Sequence, residues 1–339
     1  MRILVGISGG VDSACAALEL MRSGHTVEGA ILKMHEYSDI DGALRVAEAL
    51  AIPLHVIDAT ESFNNIIKEN LADEYLAGRT PNPCILCNEK VKFKGLYDFA
   101  AEQGFDRIAT GHYARIVKCG DRFAVAAASD GRKDQSYMLY RLPQEILSML
   151  LLPLSDAEKS EVRALAADAG IPVADKKDSQ EICFLPNGGH AEFIEQRRGI
   201  CPKGDFISPD GAMLGRHNGI IRYTVGQRKG LGIALGERVF VTDINPVDNT
   251  ITLSPTMIGR EEITVDSLVF SGLETLAEGD EIQLTVRLRY SAPRIPTRVT
   301  MLHGGVARLK FDTPVTASPG QSAVLYDGDT VLFGGFIRR

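Results

Sequence analysis

Six cysteines among 339 residues are too few for a disulfide scaffold, and no secretion signal accompanies them. The thiols are therefore expected to be reduced and the chain cytoplasmic. Tryptophan is absent and aromatic residues make up only 6%. No stretch approaches the ~18 consecutive apolar residues of a membrane span, so no membrane partner is expected. The first apolar run, residues 2–7, is too short for a signal-peptide core and lacks a cleavage pattern. There is no internal repeat, and 45% hydrophobic with 24% charged residues excludes collagen-like, low-complexity and disordered chains. Positive charge is also short: 37 Lys and Arg stand against 44 Asp and Glu, a net charge of −7. The deficit lies in the first 200 residues, with 22 basic against 29 acidic; the remainder holds 15 of each. Such a chain binds no phosphate indiscriminately, and any nucleic acid would have to meet local basic patches.

What is present is a two-part texture. Residues 2–7, 26–32, 54–58 and 107–110 read as strands, and 13–23, 39–51, 61–77 and 94–103 between them as helices. That alternation predicts an α/β fold, a parallel sheet with helices on both faces. Helices are also predicted at 135–151 and 156–169. After about Gly199 helical periods vanish and short strand-like runs alternate with turns, among them 237–244 with 250–253, and 281–290, 297–301, 307–311, 323–326 and 330–333. Asp327-Gly328 signals a two-residue hairpin turn. Two small β-rich units joined near 257–262 are expected. The domains are thus read as 1–199, 200–258 and 259–339.

Ser8-Gly9-Gly10-Val11-Asp12-Ser13 lies between the first strand and the first helix. Two glycines alone would mark a tight turn. Here they coincide with two hydroxyls and a carboxylate at a strand end, where free N–H groups of a starting helix point at an anion. Asp12 is a candidate Mg²⁺ ligand against phosphates. No Lys follows the last glycine, as a Walker loop requires, and the G-x-G-x-x-G spacing is missing. A second strand end, Thr110-Gly111-His112-Tyr113, is placed to border the same ligand. Met34, after the second strand, is unremarkable by itself.

Cys84 and Cys87 lie in Thr80-Pro-Asn-Pro-Cys-Ile-Leu-Cys-Asn88. Pro81 and Pro83 are expected to keep this segment irregular and exposed, and Lys90, Lys92 and Lys94 to favour thiolates. Cys183 is a third thiol in a polar setting, whereas Cys15 reads as structural and Cys119 and Cys201 as incidental. Three thiols suit a persulfide relay or a three-thiolate iron–sulfur cluster better than a four-ligand zinc site.

Seven motifs then occur in order. They are residues 8–13, Gly78-Arg-Thr-Pro-Asn-Pro-x-x-x-Cys-Asn88, Thr110-Gly-His-Tyr113, Lys133-Asp-Gln-Ser-Tyr137, Asp178-Ser-x-x-Ile-Cys-Phe184, Tyr223-Thr-Val-Gly-Gln-Arg-Lys-Gly-Leu-Gly232, and Pro319-Gly-Gln321 with Tyr326-Asp-Gly-Asp. The loop resembles the PP-loop of ATP pyrophosphatases, and the whole series resembles the tRNA-specific 2-thiouridylases of the MnmA type over essentially the whole chain. The resemblance implies a Rossmann-like PP-loop domain and a final β-barrel. It implies ATP-dependent adenylation of the C2 oxygen of the wobble uridine in tRNAs for Lys, Glu and Gln, and displacement of AMP by sulfur. By the same resemblance Cys87 is the nucleophile and Cys183 the persulfide carrier. Gly6, Ile7, Ser8, Gly9, Gly10, Val11, Asp12, Ser13, Met34 and Gly111 match ATP-binding positions. Asn82, Pro83 and Cys84 match contacts to the target base, and His112, Lys133, Asp134, Gln135, Arg289, Tyr290 and Gln321 match tRNA contacts. The anticodon arm would be held by the barrel with the uridine flipped toward the thiols.

One departure stands out. Cys84 occupies a position where familiar members carry Asp, which favours a [4Fe–4S] cluster on Cys84, Cys87 and Cys183 over a simple relay. The loop 35–39 is short for the family, so docking of the sulfur donor (a cysteine desulfurase, a relay protein or inorganic sulfide) is expected to differ. Lys90, Lys92, Lys94, Arg132, Lys133, Arg197, Arg198, Arg228, Lys229, Arg287, Arg289 and Arg294 are candidate phosphate contacts. The rival readings are a PP-loop enzyme with a small-molecule acceptor, such as an amidotransferase or an argininosuccinate-synthase relative, and a non-catalytic RNA module. The paired thiols and the intact Asp12 speak against both.

Overall fold

The structure is a computed structural model that describes residues 1–171, 182–185 and 189–339. Its first sheet holds five parallel strands in the spatial order Leu54–Asp58, Thr26–Lys33, Arg2–Gly6, Arg107–Ala109, Leu150–Leu151. The apolar strand Arg2–Gly6 is central, and alternate residues enter different cores. Leu4 packs with the helices after residue 60, while Ile3 and Val5 pack with helices Val11–Arg22, Ile40–Leu50 and Lys159–Asp168. Helices therefore cover both faces, as the alternation predicts. The chain winds one way from Arg2–Gly6 to Leu54–Asp58 and the other way from Arg107–Ala109. The strand order thus switches between Arg2–Gly6 and Arg107–Ala109, and their carboxyl ends flank the crevice where open α/β sheets bind ligands.

The predicted helix at 135–151 is broken. Pro143, with ψ 161°, separates Ser136–Leu139 from Gln144–Met149, and Leu150–Leu151 is a sheet strand. A hairpin absent from the sequence reading, Ala114–Cys119 with Arg122–Ala127, leaves the first sheet and joins the edge of the C-terminal one. There, six antiparallel strands close into a barrel, with Arg260–Phe270 pairing to both Val306–Val315 and Thr330–Ile337. Arg260–Phe270 was also unforeseen, because bulges interrupt its alternation in both pairings. A four-stranded central sheet, in the order Phe240–Asn245, Thr250–Ser254, Gly204–Ile207, Met213–His217, shares one continuous core with the first sheet. Among the described residues no helix is long and apolar enough to cross a membrane.

Candidate active site

The phosphate loop leaves the central strand at Gly6 and enters helix Val11–Arg22 with Gly10 as N-cap, so no side chain occupies the first-turn N–H groups. Ser13 Oγ donates to the Gly10 carbonyl at 3.0 Å and accepts the Ser8 N–H at 3.1 Å, which folds the loop back on itself. Gly9 has φ +70°, and a Cβ there would lie 2.8 Å from Asp39 Oδ2, so the loop can rest on helix Ile40–Leu50 only as glycine. From the neighbouring strand end Gly111 presses against the same helix start; a Cβ would lie 2.5 Å from the Asp12 carbonyl carbon. The two strand ends thus build one crevice.

Asp12 carries two partners that the sequence did not disclose. Lys159 Nζ lies 2.6 Å from both carboxylate oxygens, and Tyr113 Oη donates to Oδ1 at 2.7 Å. Lys159 comes from helix Lys159–Asp168, remote from every motif, so only tertiary packing could reveal it. Tyr113 closes the Thr110–Tyr113 motif and was a visible but unassigned signal. His112 accepts or donates at Nδ1 to Thr110 Oγ1 at 2.9 Å. Burial, reinforced by the Lys92 charge, drives its pKa down to about 3, so the ring is neutral at physiological pH.

The thiol segment differs from its prediction. Pro83 occupies the first helical position, where its missing N–H costs nothing, and Asn82 Oδ1 caps the Cys84 N–H at 3.2 Å. Pro83–Cys87 is therefore a short helix rather than an irregular loop. It runs through the π-turn Asn88–Lys92 into helix Phe93–Glu102. Cys87 is 7% exposed and donates to Met34 Sδ at 3.8 Å. Met34 thus links the end of strand Thr26–Lys33 to the thiol. Cys84 is half-buried and Cys183 exposed, the latter beside Phe184, which buries its ring against Phe63 and Phe193.

The thiolate expectation is corrected as well. Desolvation raises the pKa of Cys84, Cys87 and Cys183, that of Cys87 to about 12. Lys92 alone of the three lysines acts on them, and at Cys84 and Cys87 burial outweighs it. Lys90 is paired with Glu89 at 2.8 Å and Lys94 with Asp98 at 2.5 Å. The resting thiols are protonated. They lie near enough for Cys84 to raise the pKa values of both Cys87 and Cys183. Among the described residues, however, no three His, Cys, Asp or Glu side chains converge on a point that one metal ion could occupy. Cys15 donates to the Val162 carbonyl at 3.1 Å and is structural, as expected.

The expected tRNA contacts divide into two groups. Asp134 is buried, accepts from Ser136, and is paired with Arg287 at 2.9 Å and Arg294 at 3.8 Å; it ties the first domain to the barrel and is not presented to a ligand. Gln135 accepts the Tyr113 N–H at 2.8 Å. Arg289 donates to Ser318 Oγ at 2.6 Å and to the Val225 carbonyl, and Gln321 donates to the Thr80 carbonyl at 2.7 Å. Arg197 and Arg198 are paired with Glu69 and Asp73. Tyr290 is 39% exposed. Arg228 and Lys229 are exposed and, with Arg238, line an open cavity of about 710 Å³.

Residues 1–187 match the family described as tRNA methyl transferase HUP domain, 191–255 the tRNA methyl transferase PRC-barrel domain, and 260–337 the aminomethyltransferase beta-barrel domain. The tRNA-specific 2-thiouridylase MnmA of Geotalea uraniireducens is 41% identical, covering 100% of this chain and 95% of that one. The chain belongs to the tRNA-specific 2-thiouridylase family. Another member of the family, the MnmA of Clostridium acetobutylicum, is 38% identical over 99% of both chains. A 4-thiouridine synthetase solved with RNA and ATP is only 15% identical over 58% of this chain and 50% of that one, at a TM-score of 0.34, too distant to inform the site.

Proposed function

We propose that this thiouridylase-family protein uses ATP to convert the wobble uridine of tRNAs of the Lys, Glu and Gln type to 2-thiouridine, in the cytoplasm. The observation that carries the reading is the adjacency of two chemistries. An uncapped helix N-terminus with Asp12 lies at the strand switch point, and a buried thiol touches the next strand end through Met34.

The uridine C2 oxygen attacks the α-phosphorus of ATP and pyrophosphate leaves. The first-turn N–H groups, Ser8 and Ser13 stabilise the phosphate charge. Magnesium brought with ATP would take a carboxylate oxygen from Asp12 and neutralise phosphate charge, a donor type that suits a hard cation. Lys159 keeps Asp12 charge-balanced beforehand. The terminal sulfur of a persulfide on Cys183 then attacks C2, and AMP departs with the original oxygen. Cys87 attacks the Cys183 sulfur, releasing 2-thiouridine and leaving a disulfide that a cellular dithiol reduces. Gly6–Ser13, Met34 and Gly111 hold ATP in this reading, Asn82, Pro83 and Cys84 meet the base, and His112, Lys133, Gln135, Arg289, Tyr290 and Gln321 meet tRNA. The proposed domain limits remain 1–199, 200–258 and 259–339.

No step is routed through a [4Fe–4S] cluster, because a persulfide and a resolving thiol suffice for the transfer written here. Cys84→Ala separates the alternatives. The relay expects near-normal turnover with a persulfide donor, whereas loss of iron together with activity from anaerobically purified protein would restore the cluster. The reaction itself is tested by measuring AMP, pyrophosphate and 2-thiouridine with and without tRNA. Pyrophosphate release that ignores tRNA would refute the assignment.

A further inference from the structure

The thiol helix is held from the far end of the chain. Thr80 lies three residues before Pro83, and both of its backbone polar groups are met by one corner of the C-terminal barrel. Its N–H donates to the Pro319 carbonyl at 2.8 Å, and its carbonyl accepts from Gln321 Nε2 at 2.7 Å. Between these two bonds Gly320 has φ +87°, and a Cβ there would lie 2.9 Å from Arg79 Cβ and 3.0 Å from Thr80 N. The corner is itself rigid. The Gly320 N–H donates to the Ile337 carbonyl, the Ile337 N–H returns to Gln321, and Tyr137 Oη donates to the Ser322 carbonyl at 3.0 Å. From Thr80 the chain has little slack: Pro81 and Pro83 fix their φ angles, and Asn82 caps the helix. At the other end Asn88 Nδ2 is anchored on the Met138 carbonyl at 3.0 Å. One of the two Gln321 amide N–H groups is spent on Thr80, so the side chain serves the chain's own backbone whatever else it touches.

We propose that Gly320 and Gln321 are positioning residues for sulfur transfer, acting through Thr80 to fix the helix that carries Cys84 and Cys87. The barrel is thus a support for the thiol as well as a surface for tRNA. The claim rests on the thiolation reading, and its test keeps the two apart.

Gln321→Met and Gly320→Ala are made in the full chain, with melting midpoint and ATP binding confirming the fold. Three quantities are read: the tRNA dissociation constant, single-turnover thiolation at saturating tRNA, and the iodoacetamide alkylation rate of Cys87 without tRNA, by mass spectrometry. Single-turnover thiolation at saturating tRNA is expected to fall about tenfold to hundredfold in both variants, the size of a misplaced reacting group, with tRNA affinity within about twofold of wild type in Gly320→Ala. Cys87 alkylation is expected to rise as the helix loosens. Weakened tRNA affinity with an unchanged single-turnover rate would overturn the proposal, making Gln321 only a contact. Unchanged alkylation in both variants would overturn it too, whether or not the wild-type protein thiolates tRNA.

Discussion

At the nucleotide end of the crevice, polar groups are left ready. The N-cap is a glycine, the first-turn amides carry no side-chain cap, and Asp12 is half-exposed under Lys159 and Tyr113. At the sulfur end, some of the same kinds of group are put away. Cys87 is buried against Met34 with its pKa raised to about 12, and His112 is held neutral by burial. In the proposed function the contrast follows from the chemistry that each end would perform. A phosphate anion needs donors waiting for it, whereas a thiol that ionises early is open to oxidation before its substrate arrives. The sulfur end therefore depends on distant supports, the Met34 strand end, Met138 and the barrel, while the nucleotide end is built mainly from its own loop.

That difference is open to attack, first at the support. Asp134→Ala leaves Arg287 buried without its carboxylate, and the loss is expected to be about 3–5 kcal/mol in equilibrium denaturation. A change within the scatter of surface substitutions would show that the junction between first domain and barrel carries no strain-sensitive pair. At the nucleotide end, Asp12→Ala is expected to lower tRNA-dependent pyrophosphate release by about 10²–10³-fold, the usual worth of a preorganised charge, and to lower the melting midpoint without unfolding the chain because Lys159 loses its carboxylate. Full activity would remove Asp12 from the phosphate site. Gly111→Ala drives a Cβ into the Asp12 backbone, and a stability loss of about 1–3 kcal/mol with weaker ATP binding is expected. Unaltered ATP affinity would mean that the two strand ends do not share one pocket. The smallest effect belongs to Arg228→Ala with Lys229→Ala. Fewer counterions should be released, lowering the salt dependence of tRNA affinity by about one per lost contact and leaving ATP affinity intact. A salt slope identical to wild type would place that basic loop off the RNA.

The same division decides what could be read from the sequence. Strand Leu54–Asp58 and the sheet's helical cover were legible because apolar runs and helix stops are local signals. So was the phosphate loop, where glycine and hydroxyl positions follow from backbone geometry alone. The thiol helix was misread because Pro81 and Pro83 look like breakers. Only the Asn82 cap, three residues before Ile85, shows that Pro83 stands where proline starts a helix. Burial of Cys87 was not legible at all, since it comes from the large core that the thiol joins and from Met34, more than fifty residues earlier. Lys159 on Asp12 and the barrel corner on Thr80 are likewise contacts across 147 and 241 residues. The basic residues show the same limit: the carboxylates paired with Arg197, Arg198, Arg287 and Arg294 come beside them only in the fold.

The central claim is that adenylation and sulfur transfer are separate halves of one crevice. Cys87→Ser tests it most directly, in a single-turnover reaction with ATP, substrate tRNA and a persulfide donor. The account expects tRNA-dependent pyrophosphate release at close to the wild-type rate with no free 2-thiouridine formed. Pyrophosphate release lost in proportion to thiolation would contradict it, because the buried thiol would then belong to the nucleotide end as well.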